Sequence, residues 1–155
     1  NNLVILRTLS KGYSLAGLRF GYGIATQSLI SPMLDKTRDS YNLDLFSQLI
    51  AEAALENRTQ AMDNCEMIKL QRGCLQDLLT NCGLEVESSE TNFLLTTVPA
   101  SFCCSAEHLY ERLKDQGILV RYFSDSRLSD KVRITVGTAE ENKLLIHAIQ
   151  QIQSA

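Results

Sequence analysis

The sequence predicts a mixed α/β fold, and three observations lead to that class. Residues 3–6 form a short apolar run, β-branched enough to make a buried strand. Residues 59–82 repeat apolar side chains at helical spacing and predict a long amphipathic helix. From residue 84 the patterns of strand, helix, strand, strand and helix follow one another, which is the order of an open α/β sandwich.

The first third of the chain alternates short strands with helices. Residues 18–25 predict a second strand, and residues 27–39 predict a helix. A break follows, in which Asp44 is a suitable N-cap for an alanine-rich helix over residues 45–55. This break predicts a domain boundary close to residue 40, which divides the chain into residues 1–40 and 41–155.

The remainder predicts a smaller α/β unit with clear helix stops. Gly83 and Gly117 stand where helices end, at the position that favours a left-handed backbone. The predicted elements after the long helix are strands over residues 84–86, 92–98, 118–123 and 131–136, and helices over residues 105–116 and 139–152.

Composition restricts the classes of function. With 155 residues, 45% of them hydrophobic and 21% charged, the chain can bury a core as an ordinary globular protein does. A net charge of -3 without a basic run argues against nucleic acid as a partner. No apolar run approaches the roughly 20 residues of a membrane helix, and no secretory signal is visible, so we expect no membrane partner.

The cysteines and histidines predict neither a metal site nor a catalytic triad. Five cysteines are an odd number without metal-type spacing, which favours free thiols in a reducing cytoplasm. Cys103 and Cys104 are adjacent but have no partner residues nearby in the sequence, so we assign them no redox or metal role. His108 and His147 fall on predicted helices and are expected on the surface.

Lys11 is the first candidate for chemistry. It follows a predicted buried strand and enters a turn rich in Gly, Ser and Ala, where its ammonium is expected to lose part of its water. Loss of water favours the neutral amine, a nucleophile that forms Schiff bases with carbonyl compounds, pyridoxal phosphate included. Ser10 and Arg19 are close enough in sequence to bind a phosphate. The alternative is a solvated lysine at a strand end beside an ordinary glycine turn.

Two arginines and one asparagine form the second candidate group. Arg121 and Arg133 interrupt apolar strands, and Arg133 points away from the face that its apolar neighbours occupy. On a covered sheet face such an arginine needs an anionic partner, and a substrate is one option. A surface salt bridge is the other. Asn92 opens a predicted strand, where its side chain can hydrogen-bond the strand start.

Several segments resemble one enzyme family. Residues 8–17, Thr-Leu-Ser-Lys-Gly-Tyr-Ser-Leu-Ala-Gly, resemble the lysine signature of the class-II pyridoxal-phosphate aminotransferases, and residues 17–22 resemble the phosphate-arginine segment of fold-type I enzymes. Residues 117–123 and 128–142 are similar to the C-terminal part of the histidinol-phosphate aminotransferases. The resemblance extends over essentially the whole chain.

The resemblance implies the C-terminal portion of a fold-type I transferase. Residues 1–40 would end the sheet of the large pyridoxal-phosphate-binding domain, and residues 41–155 would form the small α/β domain. The partner of the pyridine nitrogen, the ring-stacking aromatic and the residues donated by a second subunit would all precede Asn1. We therefore expect a homodimer for the full-length protein and no transamination by this chain alone.

The resemblance also implies a cofactor and a set of roles. The cofactor is pyridoxal 5'-phosphate, Lys11 is the catalytic residue that binds it covalently, and Ser10 and Arg19 anchor its phosphate. Arg133, Arg121 and Asn92 bind the substrate, and Arg133 holds its anionic end.

The implied reaction is the transamination of histidinol phosphate with 2-oxoglutarate in histidine biosynthesis. The substrate class is a small amino-acid or amino-alcohol phosphate. Two alternatives stay open: a threonine-phosphate decarboxylase of the same family, and a separated domain that binds or oligomerises without catalysis.

Overall fold

The computed structural model describes residues 2–154, which form two compact units, one ending at Cys65 and the other beginning at Glu66. Each unit combines helices with a small antiparallel sheet. The long helix α3, Arg58–Asn81, contributes its first residues to one unit and the rest to the other. The mixed α/β class expected from the sequence is confirmed. The domain boundary expected near residue 40 stays a prediction.

The first unit contains a two-stranded sheet. Strand β1, Val4–Thr8, pairs antiparallel with β2, Gly21–Ala25, in a register that runs from Val4↔Ala25 to Thr8↔Gly21. A turn and a short 3₁₀ helix, Ala16–Leu18, connect the two strands. Helices α1, Gln27–Lys36, and α2, Leu45–Glu56, follow.

Strand β2 begins three residues later than the sequence predicts. Leu18 still belongs to the 3₁₀ helix, and Arg19 adopts a left-handed backbone with φ 54° and ψ 34°, which turns the chain before pairing can start. Pairing then begins at Gly21, where a Cβ atom would lie 2.9 Å from the carbonyl oxygen of Arg7. Only a residue without a side chain fits this close approach of the two strands.

The predicted cap of α2 is confirmed. Asp44 accepts the backbone N–H of Ser47 at 2.9 Å and the Ser47 hydroxyl at 2.6 Å. Both hydrogen bonds favour the ionised carboxylate and lower the pKa of Asp44. Helix α1 is shorter than predicted and ends at Lys36.

The second unit contains a four-stranded antiparallel sheet in the order β3-β4-β6-β5. Its strands are β3, Glu85–Val86; β4, Phe93–Thr97; β5, Arg121–Tyr122; and β6, Lys131–Thr135. Helix α4, Ala106–Asp115, precedes β5, and α5, Ala139–Ser154, follows β6. The predicted glycine stops are confirmed, since Gly83 and Gly117 have φ values of 82° and 78°.

One face of this sheet packs against the helices and forms the core. Alternate residues of the two central strands are buried there, together with apolar side chains of α3, α4 and α5; the largest are Leu75, Leu79, Leu94, Leu109, Leu113, Val132, Ile134, Ile149 and Ile152. Because side chains alternate between the two faces along a strand, the intervening side chains, including that of Arg133, lie on the other face.

The strand predicted over residues 118–123 is shorter in the structure. Only Arg121 and Tyr122 pair with β6, opposite Arg133 and Val132. Residues 117–120 instead line an open cleft of about 400 Å³ beside the start of α5. None of the helices between residues 2 and 154 is both long and apolar enough to cross a membrane.

Candidate active site

The turn that carries Lys11 is fixed by its neighbours. Leu9 is buried, at 1% exposure, and anchors the chain where β1 ends. The backbone N–H of Leu15 donates to the carbonyl of Leu9 at 3.1 Å, and the N–H of Ser14 donates to the carbonyl of Lys11 at 2.9 Å. Ser14 has φ 57°, so the loop closes tightly on itself. These bonds hold the backbone of Lys11 at the end of the β1–β2 hairpin.

Ser10 is oriented by the last residue of β1. The hydroxyls of Thr8 and Ser10 are hydrogen-bonded at 2.8 Å, and Thr8 Oγ1 accepts the backbone N–H of Ser10 at 3.1 Å. Thr8 Oγ1 also lies 3.2 Å from the carbonyl oxygen of Phe20, which accepts the same single proton, so these contacts fix the position of Ser10 Oγ and not the direction of its hydrogen bond with Thr8. Thr8 is the first residue of the segment that resembles the lysine signature, and its hydroxyl holds Ser10 in place.

Arg19 completes a group of hydrogen-bond donors. Its Nη1 donates to the carbonyl of Ala16 at 2.8 Å, which fixes the side chain against the 3₁₀ helix and uses one of five N–H groups. Within residues 2–154, neither Lys11 nor Arg19 forms an ion pair with a carboxylate. An amine, a hydroxyl and a guanidinium on one loop suit a phosphate with an aldehyde, so these residues fit pyridoxal phosphate.

The structure corrects one expectation about Lys11. The side chain is exposed, so the loss of water inferred from the sequence is not found in this chain. The physical reason is that the turn lies at the surface of the first unit, where the neighbouring Ser10, Gly12 and Tyr13 are only half-buried. Ser10, Lys11 and Arg19 can still donate hydrogen bonds, but the lysine side chain is not buried.

The two candidate arginines form a pair on the second unit. Arg121 and Arg133 are directly opposite each other on adjacent strands, and therefore share a face of the sheet. The guanidinium of Arg133 lies 5.0 Å from the ring centroid of Phe93, and that of Arg121 lies 5.5 Å from Phe123. Each guanidinium group therefore lies over one aromatic ring.

The sheet face that carries both arginines is open to solvent, whereas the sequence analysis considers a covered face. A covered face would bury Arg133 and require a partner for it; in the structure Arg133 is exposed, and its neighbours Val132 and Ile134 are the buried residues. The helices pack on the other face of the sheet, which leaves both guanidinium groups accessible to solvent. Within residues 2–154, no carboxylate forms an ion pair with either arginine.

Asn92 directly precedes β4. The two residues before it are held by Arg72, which the sequence did not indicate as a site residue. The carbonyl of Asn92 accepts the N–H of Val136 at 3.0 Å. Arg72 of α3 donates to the carbonyl of Thr91 at 2.8 Å and to the carboxylate of Glu90 at 2.9 Å. The side chain of Arg72 is only 13% exposed. Its partners are 18 and 19 residues away, so no local pattern could reveal the contact.

The structure therefore forms two groups of candidate residues, each within one unit. Ser10, Lys11 and Arg19 belong to the first, and Arg121, Arg133 and Asn92 belong to the second. Their roles stay predictions. In the part of the chain that is described, no three His, Cys, Asp or Glu side chains come together to hold a metal ion. His108 and His147 are exposed on helices, as expected.

Comparison with known proteins gives consistent matches. The chain is 45% identical to the histidinol-phosphate aminotransferase of Microcystis aeruginosa. The 152 matched residues cover 98% of this chain and 42% of that protein. The solved histidinol-phosphate aminotransferase of Sinorhizobium meliloti, in complex with pyridoxal-5'-phosphate, is 27% identical with a TM-score of 0.82 over 99% of this chain and 41% of that one.

A third match concerns the fold alone. The L-threonine-O-3-phosphate decarboxylase of Porphyromonas gingivalis is 24% identical, with a TM-score of 0.80 over 99% of this chain and 47% of that one. In each of the three comparisons the chain spans less than half the length of the protein it matches. Residues 1–149 match the family of class I and II aminotransferases. The chain belongs to this aminotransferase family.

Proposed function

We propose that this chain binds pyridoxal phosphate and contributes the covalent lysine and the substrate-binding arginines to the transamination of histidinol phosphate with 2-oxoglutarate. The observation that carries the proposal is the loop between β1 and β2, which holds Ser10, Lys11 and Arg19. Hydrogen bonds fix Ser10 and Arg19 there, and among residues 2–154 neither Lys11 nor Arg19 forms an ion pair with a carboxylate. The 45% identity to a histidinol-phosphate aminotransferase supports the choice of substrate.

Three residues would hold the cofactor. The Lys11 amine would bond covalently to its aldehyde carbon. Ser10 would donate its hydroxyl proton to the phosphate, and Arg19 would bind two phosphate oxygens with the N–H groups that Ala16 does not use. When bound, the cofactor supplies an electron sink for the reacting centre.

Lys11 would also move a proton. With the substrate bound, the Lys11 amine would take the proton from the substrate α-carbon. It would then deliver the proton to the cofactor C4′ atom. The backbone bonds fix the turn from which this side chain extends.

The second group would bind the anionic end of the substrate. Two guanidinium groups on one sheet face match a phosphate dianion better than a single arginine does, because each can donate two N–H groups to oxygen. Arg133 would make the main contact, Arg121 would add to it, and Asn92 would hydrogen-bond the substrate. The partner of this site is thus a small amino-acid or amino-alcohol phosphate.

The wider setting is part of the same proposal. Residues 1–40 and 41–155 would belong to the large and small domains of a cytoplasmic homodimer that binds neither nucleic acid nor membranes. The odd number of cysteines, which lack metal-type spacing, supports a reducing compartment.

Covalent trapping tests the role of the lysine. The chain is incubated with pyridoxal phosphate, reduced with borohydride and digested, and the labelled peptides are mapped by mass spectrometry. We expect the label on Lys11, its loss in Lys11→Arg, and no change in Lys36→Arg, which alters another exposed lysine of the first unit. Label spread over many surface lysines, or label unaffected by Lys11→Arg, would overturn the assignment.

Ligand binding tests the substrate. Calorimetry with histidinol phosphate and with O-phosphothreonine compares the two phosphates, and Arg133→Gln is expected to weaken binding of histidinol phosphate about tenfold or more. Tighter binding of O-phosphothreonine would instead favour a decarboxylase. If the wild-type chain binds neither phosphate while Lys11 is also unlabelled, the chain is a non-catalytic domain.

A further inference from the structure

Cys103 and Cys104 form a pair of thiols that the aminotransferase chemistry does not use. They lie in the loop before α4, and their sulfur atoms are 4.0 Å apart. Both are free; Cys103 is exposed and Cys104 is half-buried against the core of the second unit. The other three cysteines, Cys65, Cys74 and Cys82, are distant in sequence and lie within or just after α3.

A cleft adjoins Cys104. It has a volume of about 510 Å³, within the range of sites that hold small organic molecules. Val98, Phe102 and Cys104 supply apolar and sulfur surface, and Ser105 and Asp130 add polar groups. A ligand held by both sulfurs can therefore place an aromatic group beside the phenyl ring of Phe102.

A disulfide is a poor product for these two thiols. Adjacent Cα atoms are about 3.8 Å apart, whereas ordinary disulfides need roughly 4.4–6.8 Å. A third atom that bonds both sulfurs removes this constraint. With bonds of about 2.3 Å, the length of a zinc–sulfur bond, and near-tetrahedral or pyramidal angles, it holds the sulfurs roughly 3.4–3.8 Å apart. The observed 4.0 Å is within a small side-chain adjustment of that spacing.

The protonation of Cys104 favours a reagent that reacts with neutral thiols. Burial and the neighbouring Cys103 raise the pKa of Cys104 to about 11, so its sulfur carries a proton at neutral pH. Alkylation and peroxide oxidation require a thiolate and are disfavoured at this sulfur. Condensation with an arsenic–oxygen group consumes the S–H proton directly.

We propose that Cys103 and Cys104 are a vicinal-dithiol site for trivalent organoarsenicals, with the organic group in the adjoining cleft. An arsenoxide R–As=O reacts with the two S–H groups; two arsenic–sulfur bonds form, the arsenic–oxygen bond breaks, and oxygen leaves with both protons as water. Arsenic stays trivalent, so no oxidant or reductant is required.

Loss of the thiol protons does not leave a buried hydrogen-bond acceptor without a donor. The Cys103 thiol donates weakly to the carbonyl of Ile152 at 3.9 Å, and Arg112 donates to the same carbonyl at 3.4 Å. After the reaction Arg112 still satisfies this oxygen. The end of α5 therefore keeps a hydrogen bond when the site is occupied.

Phenylarsine oxide is the probe for the test. The reduced chain is treated with one equivalent, washed with the monothiol glutathione or with the dithiol dithiothreitol, and mapped by mass spectrometry under non-reducing conditions. We expect one phenylarsenic group on the peptide containing Cys103 and Cys104, retained in glutathione and removed by dithiothreitol. Because the second bond closes within one molecule, each of Cys103→Ser and Cys104→Ser should weaken binding by about 100-fold or more.

A matched control separates the paired thiols from a single one. Cys74→Ser changes an exposed single thiol and is expected to leave binding unchanged. Phenylarsenic lost to glutathione from the wild-type chain, bound mainly to peptides of α3, or absent would overturn the proposal without bearing on Lys11. The wild-type mapping distinguishes these outcomes even if a serine variant folds poorly.

Discussion

Arg121 and Arg133 face each other across β5 and β6, and both cations stand on the side of the sheet that the helices leave open. Like charges in directly opposed positions destabilise a sheet. Since no carboxylate in residues 2–154 pairs with either arginine, the rings of Phe93 and Phe123 offset part of the repulsion, and water, salt or an anionic ligand can relieve the rest. The arrangement favours binding of an anion at a cost in stability.

Salt should therefore stabilise this sheet. Raising ionic strength from about 0.01 to 1 M shortens the Debye length from about 30 to 3 Å. We expect the free energy of unfolding of the wild-type chain to rise relative to Arg121→Gln by about 0.2–1 kcal/mol over this range. Urea unfolding at each salt concentration measures the difference. Arg127→Gln is the control with the opposite sign, because Arg127 is attracted to Asp125 at 3.2 Å. Equal salt dependence of wild type and Arg121→Gln would contradict the repulsion.

A buried hydroxyl in β4 lowers stability. Thr96 Oγ1 has no hydrogen-bond partner in residues 2–154, and the residue is fully buried. Thr96→Val keeps the shape and removes the unsatisfied group, so the free energy of unfolding should rise by about 1–3 kcal/mol. The adjacent Thr97→Val should lower it by about 0.5–1.5 kcal/mol, because Thr97 Oγ1 accepts from Lys131 Nζ at 2.8 Å. Destabilisation by Thr96→Val in urea titrations would show that the hydroxyl is satisfied in solution.

The hairpin that carries Lys11 depends on Gly21. In Gly21→Ala the new Cβ would meet the Arg7 carbonyl oxygen at 2.9 Å, and the backbone must shift. We expect a loss of about 1–3 kcal/mol in the free energy of unfolding. Gly17→Ala, where no atom lies within 4 Å, should change it by no more than about 0.5 kcal/mol. Thermal or urea unfolding compares the two, and equal effects would refute the close approach.

The cap of α2 makes stability depend on acid. The Ser47 hydrogen bonds hold the pKa of Asp44 below its ordinary value of 3.8. A carboxyl with a lowered folded-state pKa stabilises the fold above its unfolded pKa, and the stabilisation is lost as pH falls through the folded value. We expect Asp44→Ala to lower the urea midpoint at pH 6, with a difference that disappears as the pH falls below 3.8. Asp39→Ala, which removes an exposed carboxylate without removing a helix cap, is the control. A difference that persists in strong acid would count against the cap.

Local patterns in the sequence were sufficient for most elements and their ends. The N-cap at Asp44 and the glycine stops at Gly83 and Gly117 are confirmed, because capping and left-handed backbone depend on neighbouring residues only. The family was also recognisable, because the lysine turn and its arginine lie within a dozen residues of one another.

Only the tertiary structure decided which groups are exposed and which distant groups meet. The sequence put Arg133 opposite its apolar neighbours, but the packing of helices on one face decided that Arg133 is in solvent, and strand register set it against Arg121. The exposure of Lys11 and the reach of Arg72 to Thr91 likewise depend on parts of the chain remote in sequence. Burial and strand register depend on contacts between residues that are far apart in the sequence, and no local pattern of residues specifies those contacts.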